Sequence, residues 1–250
     1  EAVSGGGMFC NRDTTIRRTA FEDNKAKEGG GGITCHKSGI RSLVSENSTF
    51  RRNLAELGNG GAVKAADDSD SALDVVLFEK CVFEDNNATG SGGAFYSYQM
   101  IYGVVIRVYS YFAGCSFTRN NAGTGGAVSG GTTIVNDSTF TSNRAANGTG
   151  GAIHTGAVQA YSTLFQYNYS QREGGGVYCG GYSNSILREC LFRSNRGSSY
   201  GGAVWAGFPL AVDLCLFEDN LSGNSGGGVY ASNELKISRS RFFNNKAKNG

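Results

Sequence analysis

Residues 81–96 read CVFEDNNATGSGGAFY, and residues 215–230 read CLFEDNLSGNSGGGVY. Both segments place a cysteine two positions before a phenylalanine, an asparagine three positions after it, and a glycine run before an apolar residue. Extending outward, Phe-x-x-Asn occurs nine times: Phe21/Asn24, Phe50/Asn53, Phe83/Asn86, Phe117/Asn120, Phe140/Asn143, Phe165/Asn168, Phe192/Asn195, Phe217/Asn220 and Phe242/Asn245. Successive phenylalanines lie 29, 33, 34, 23, 25, 27, 25 and 25 residues apart. A period in this range marks an array of small stacked units.

Further columns emerge once the phenylalanines are aligned. Two positions before Phe stand Thr19, Ser48, Cys81, Cys115, Ser138, Thr163, Cys190, Cys215 and Ser240, all small. Five positions before it the residues are mostly apolar, from Ile16 to Ile237. Two positions after Asn they are small again, from Ala26 to Ala247. The alternation within these columns has period two, which predicts strands, and no stretch holds a helical period. A unit this short cannot bury its own apolar face and must stack on its neighbours. Equivalent strands then pair in parallel about 4.8 Å apart. The expected fold is all-β: a parallel β-helix of nine to ten coils, continuous over residues 1–250, with interior phenylalanines and an asparagine ladder at one corner. The glycines are expected to supply the positive-φ corners. A leucine-rich repeat also uses an asparagine ladder, but its leucine-dense strand is missing.

Composition narrows the function. The chain has 39 glycines and one proline, with no three-residue period, which excludes collagen. A net charge of +2 with interspersed signs offers no basic face for nucleic acid. No apolar run is long enough to span a bilayer. The chain starts at Glu1 inside the glycine pattern and stops at Gly250 as another glycine pair falls due, so it reads as a segment of something longer, open at both ends. Both ends are expected to continue, meet a cap or abut another rod.

The glycine element matches Gly-Gly-Ala-aliphatic at Gly60–Val63, Gly125–Val128, Gly150–Ile153 and Gly201–Val204, with near matches at Gly92–Phe95, Gly174–Val177 and Gly226–Val229. Together with Phe-x-x-Asn, this pattern resembles the repeats of the polymorphic outer-membrane proteins of chlamydiae, and of Pmp-like surface proteins elsewhere. The resemblance implies a right-handed β-helix of the pectin-lyase-like architecture, displayed extracellularly or on the cell surface in an adhesive or structural role. The chain is expected to be non-catalytic, because a fold shared with enzymes does not confer activity. The competing class is a polysaccharide lyase or glycoside hydrolase of the same architecture. Hydrolysis needs a pair of facing carboxylates, yet Asp67-Asp68 stands alone, and His36 and His154 lie outside any glycosidase motif. No cofactor or metal is expected, although Asp67, Asp68, Asp70 and Asp74 form an acidic insertion that reads either as a solvated loop or as a calcium site.

Candidate binding residues follow from the pleat. The residue after each post-glycine apolar position is expected to face solvent: Phe9, Thr34, Lys64, Tyr96, Ser129, His154, Tyr178, Trp205 and Tyr230. Tyr178, Trp205 and Tyr230 fall on consecutive coils, with Tyr96 and His154 in the same column. This stripe reads either as cross-strand packing or as a surface for a protein or glycan partner. Tyr98, Tyr102, Tyr109 and Tyr111 belong to an insertion expected to protrude. Six Asn-x-Ser/Thr sequons occur, at Asn47, Asn87, Asn136, Asn147, Asn168 and Asn220. The last two are ladder residues and are expected to be inaccessible. Cys81/Cys115, Cys190/Cys215 and Cys10/Cys35 fall in shared columns and are expected to touch as interior thiols in preference to disulfides, leaving Cys179 without a cysteine neighbour.

Overall fold

The computed structural model describes residues 2–35, 42–65, 75–97, 109–181 and 183–249, and the backbone of 100–101 and 104–105. Among these residues every regular element is a β-strand, 36 in all. None of them forms a helix long and apolar enough to cross a membrane. The strands stack in parallel as a β-solenoid of about nine turns with three faces. One face is a nine-stranded sheet carrying the phenylalanines, and a second is a nine-stranded sheet of two-residue strands carrying the small post-asparagine residues. The third is a 16-stranded sheet. It unites the post-glycine and pre-phenylalanine strands, because Val128–Asn136 and Ile153–Tyr161 each run through nine residues without a break.

Register follows the sequence columns residue for residue. Phe21 pairs with Phe50, Phe50 with Phe83, and so on to Phe217 with Phe242. Phe50, Phe83, Phe117, Phe140, Phe165, Phe192 and Phe217 are fully buried. Adjacent rings stack with centroids 4.5–5.3 Å apart, which spaces them at the strand separation itself. Where a coil carries a second interior phenylalanine, it meets the stack edge-on, as Phe112 meets Phe117 at 5.2 Å and 83°.

The asparagines form the second internal column. From Asn24 to Asn220, each Nδ2 donates to Oδ1 of the asparagine one coil further on, at 2.8–3.0 Å. From Asn53 onward the same Nδ2 also donates to the carbonyl of the phenylalanine one coil back. Asn86 Nδ2 thus bonds Asn120 Oδ1 at 3.0 Å and the Phe50 carbonyl at 2.9 Å. Asn195 Nδ2 bonds Asn220 Oδ1 at 3.0 Å and the Phe165 carbonyl at 2.9 Å. Each Oδ1 also receives the backbone N–H of the preceding asparagine. A buried amide is thus satisfied on both its donor and acceptor sides.

The corners depart from expectation. The first glycine of the pair adopts positive φ in eight of the nine elements, from +60° at Gly125 to +69° at Gly60, Gly30 being the exception. Two further corners per coil, three positions before Phe and two after it, hold residues such as Arg18, Leu214, Asp85 and Tyr167 at φ of 45–57°. Hydrogen bonding at each corner holds non-glycine side chains in a region they disfavour by about 1–2 kcal/mol.

The small column before Phe carries its own hydrogen bonds. All nine of its hydroxyls or thiols donate to the carbonyl two residues back, for example Ser138 Oγ to Asn136 at 2.7 Å and Cys190 Sγ to Arg188 at 3.3 Å. The same bond recurs at Thr19, Ser48, Cys81, Cys115, Thr163, Cys215 and Ser240. Several accept a backbone N–H from the coil before, as Ser138 does from Cys115 and Cys215 does from Cys190. Thr, Ser and Cys alternate here because each combines one donor with an acceptor in a small volume.

Cys10 and Cys35 form a disulfide between consecutive coils, which corrects the expectation of thiols there. Their Cα atoms lie 4.6 Å apart, already inside the range that a disulfide bridges, so the backbone need not pinch. Cys81, Cys115, Cys179, Cys190 and Cys215 are buried free thiols.

Candidate functional site

The post-glycine strands set the candidate stripe in one continuous column. Phe9, Thr34, Lys64, Tyr96, Ser129, His154, Tyr178, Trp205 and Tyr230 are in register, coil upon coil. The pleat turns the preceding residue of each strand inward, so Ile153, Val177 and Val204 are fully buried beneath. The stripe residues Tyr96, His154, Tyr178, Trp205 and Tyr230 are half-buried rather than exposed. Thr34 and Ser129, expected to face solvent, are buried, because each is a short side chain between bulkier neighbours in the same column.

The rings face one another. His154 stacks on Tyr178 at 4.8 Å and 3°, and Tyr178 on Trp205 at 4.4 Å and 6°. Tyr230, on the next coil, meets Tyr200 at 4.8 Å and 45°. Each ring also leans along its own strand over a glycine. A Cβ on Gly180 would come within 2.6 Å of Tyr178 Cε1, and one on Gly207 within 2.9 Å of Trp205 Cη2. These two glycines are therefore space reserved for the rings. Both faces of Tyr178 are covered, so the middle of the stripe presents ring edges outward. An edge carries the positive rim of the ring quadrupole and suits oxygen acceptors or another ring's face; stacking a sugar flat on Tyr178 is not open to it.

His154 Nδ1 lies 2.7 Å from Thr149 Oγ1, and burial lowers its pKa to about 4. The imidazole in this stack is consequently neutral at physiological pH. Burial, reinforced by the Glu173 carboxylate, raises the Tyr178 phenol and keeps it protonated.

The ladder asparagines lie apart from this stripe and form no surface site. Asn53, Asn86, Asn120, Asn143, Asn168, Asn195 and Asn220 are buried, with their amide groups bonded to neighbouring coils, so no ligand reaches them. Asn24 and Asn245, at the two outer coils, are half-buried.

Of the tyrosines expected in a protruding insertion, Tyr109 and Tyr111 lie in the strand Tyr109–Ala113, paired with Thr132 and Ile134. That segment is sheet because Ser110 and Phe112 alternate inward and are buried. The insertion does leave the parallel pattern, at Met100–Ile101, which pairs antiparallel with Val104–Val105. Tyr98 and Tyr102 lie outside the described residues, as do His36 and the acidic cluster Asp67, Asp68, Asp70 and Asp74. Among the sequons, Asn47, Asn87 and Asn147 are exposed, Asn136 is half-buried, and Asn168 and Asn220 are buried in the ladder.

A charged corner was not foreseen from the sequence. Around the position after Phe, consecutive coils alternate Glu22-Asp23, Arg51-Arg52 and Glu84-Asp85, followed by Arg119. Arg52 reaches Asp23 at 2.7 Å, Arg51 reaches Glu84 at 2.6 Å, and Arg119 reaches Asp85 at 2.7 Å. These guanidiniums hold the Asp23, Glu84 and Asp85 carboxyls below their usual range. The signal was visible as sign alternation between equivalent positions one coil apart.

With the fold and stripe in place, comparison with known proteins is direct. The Chlamydia polymorphic membrane protein repeat matches at residues 80–98, 137–156 and 214–232. The chain carries Pmp repeats. Each match begins three residues before an aligned phenylalanine and ends three residues past the glycine element, so the repeat falls within one coil of the solenoid. The Pmp repeat associates the chain, coarsely, with surface and outer-membrane proteins. The chain is also similar to a metabotropic glutamate receptor-like protein R of Dictyostelium discoideum, 24% identical over 192 residues. That alignment covers 76% of this chain and 10% of the relative, so the chain spans about a tenth of that protein's length. No solved structure matches the chain significantly.

Proposed function

We propose that this chain is a non-catalytic, extracellular β-helical segment that holds a partner at the cell surface, acting as an adhesin, coat component or filament subunit. The Pmp repeats support a surface setting, and the relative supports repeats of this kind within a much longer receptor-like protein. The observation that carries the reading is the half-exposed stack His154–Tyr178–Trp205 with Tyr200 and Tyr230 beside it. Interior columns account for Phe, Asn and the small residues, whereas coil stacking alone does not require aromatic side chains on this outer column. The edges of the rings suit a partner rich in oxygen acceptors, either a protein strand or glycan hydroxyls.

The test is binding to arrayed surface glycans and to intact cells, with Tyr178, Trp205 and Tyr230 replaced together by Ser. The triple variant should keep its β circular-dichroism spectrum and lose binding at least tenfold. Binding that survives the change reduces the stripe to sheet packing. Cleavage of pectins, alginates or glucans by the unmodified chain would replace this reading with a carbohydrate-active enzyme.

A further inference from the structure

Two pairs of buried thiols remain outside this reading. Cys81 and Cys115 sit at one corner on consecutive coils, immediately before the paired residues Val82 and Ser116. Cys190 and Cys215 repeat the arrangement before Leu191 and Leu216, and the Cys190 N–H donates to Cys215 Sγ at 3.4 Å. We propose that Cys81–Cys115 and Cys190–Cys215 are oxidative modification sites, closed by a hydroperoxide into coil-to-coil disulfides, while Cys179 stays a thiol.

Three observations support this assignment, and none depends on the partner-binding reading. First, the chain already accepts such a bond: Cys10 and Cys35, in register on consecutive parallel strands, are joined with Cα atoms 4.6 Å apart. Second, the two thiols of each reduced pair face each other across consecutive coils, each giving its proton to the carbonyl two residues back. Once one thiol ionises, its partner can turn from its carbonyl and donate to the thiolate: Cys115 lowers Cys81 to about 7, and Cys190 lowers Cys215 in the same way. Their partners are raised, so each pair gives up its first proton readily and its second with difficulty. One thiolate beside one thiol is the pairing that peroxide converts to a disulfide, and because both are buried the oxidant has to be as small as hydrogen peroxide to reach them. Third, Cys179 has Thr155 and Ala206 as its column neighbours, and burial raises its thiol to about 11.

The step balances. The thiolate of a pair attacks one oxygen of hydrogen peroxide, the O–O bond breaks, and the departing hydroxide takes a proton to become water. The resulting sulfenic acid is attacked by the partner sulfur, whose proton leaves with the sulfenic oxygen as a second water. Two thiols are oxidised to one disulfide and one peroxide is reduced to two waters. The bonds close chain loops between residues 34 and 25 apart in sequence. Thiol-to-carbonyl hydrogen bonds at Glu79, Ala113, Arg188 and Asp213 are exchanged for covalent links.

The experiment treats the folded 250-residue chain with hydrogen peroxide, removes the oxidant, denatures, alkylates and measures mass. The untreated chain should alkylate at five cysteines, and the treated chain at Cys179 alone, with a loss of four hydrogens and cross-linked peptides joining 81 to 115 and 190 to 215. Its Tm should rise by roughly 10 °C. Five alkylatable cysteines after treatment, gain of oxygen in place of loss of hydrogen, or cross-links between other cysteines would each overturn the proposal. Cys81→Ser with Cys190→Ser uses the residue this column already holds at Ser48 and Ser138. That variant should form neither new disulfide nor gain in Tm, and a rise in Tm there would equally overturn it.

Discussion

Asn143 Nδ2 donates to Asn168 Oδ1 across 3.0 Å, from one coil to the next, with both side chains buried. The same Nδ2 holds the Phe117 carbonyl, and Asn143 Oδ1 receives two donors from Asn120. Asn143→Ala therefore removes four buried hydrogen bonds to the coils on either side and leaves the Asn120 N–H without its acceptor, at a cost of about 3–5 kcal/mol. Asn245→Ala, at a half-exposed rung where water substitutes, should cost clearly less. Urea titrations of the two variants provide the comparison, and equal losses would contradict the ladder account.

The left-handed corners give a prediction of opposite sign. Leu214 sits at φ 53° with its side chain 40% exposed, so it bears backbone strain for little burial. Leu214→Gly should raise stability by about 1 kcal/mol. Gly150→Ala, at φ +68° with Ile153 O in the way of a Cβ, should lower it by more than that. Thermal melts of the two variants should shift in opposite directions.

Stability should also respond to mild acid through His154. Its folded pKa, about 4, lies below the ordinary value of 6.5, so the unfolded chain takes up the proton first as pH falls. Stability present above pH 6.5 is then lost down to pH 4, by on the order of 3 kcal/mol, and no further loss comes from this group below that. The depressed carboxyls of Asp23, Glu84, Asp85 and Asp213 act in the same direction at lower pH, as each falls through its folded pKa. His154→Phe should flatten the upper window of a stability–pH curve and leave the lower one intact.

The 250-residue polypeptide, expressed alone, should self-associate at moderate concentration. Phe242 is 43% exposed whereas the phenylalanines of the seven inner coils are fully buried, and Leu235, Ile237 and Phe243 are uncovered beside it. Strand edges and an apolar face on one coil form a pairing template. A strictly monomeric species by light scattering at increasing concentration would contradict this.

How much of this was legible depended on what each column demanded. Phe and Asn columns admit one residue type each, because ring stacking and a two-sided amide leave no substitute, and they were read directly with the correct register. Asn86 and Asn195, in coils with different insertions around them, fall into the same bonding pattern for that reason. The column from Thr19 to Ser240 accepts three residue types, so it was recognised as small and its hydrogen bonding was missed. The corners at Arg18 or Tyr167 left no signal at all: neighbouring ladders absorb the strain, and almost any side chain pointing to solvent suffices. The stripe's register followed from the columns, but alternation alone says nothing of ring orientation, so the mutual stacking of His154, Tyr178 and Trp205 was one of two readings left open. Sequence columns likewise brought Cys10 to Cys35 without deciding their oxidation state.

The asparagine column has a direction. From Asn24 to Asn220 one Nδ2–H of each asparagine points to the Oδ1 of the higher-numbered coil, while from Asn53 onward the other turns back to a phenylalanine carbonyl, so the amide-to-amide links all run in one sense along the axis. Within the ladder the Asn24 rung therefore presents its Oδ1 away from Asn53, and the Asn245 rung keeps one Nδ2–H turned away from Asn220. A second copy set end to end on this one would continue the amide-to-amide links only if both rods ran in the same direction.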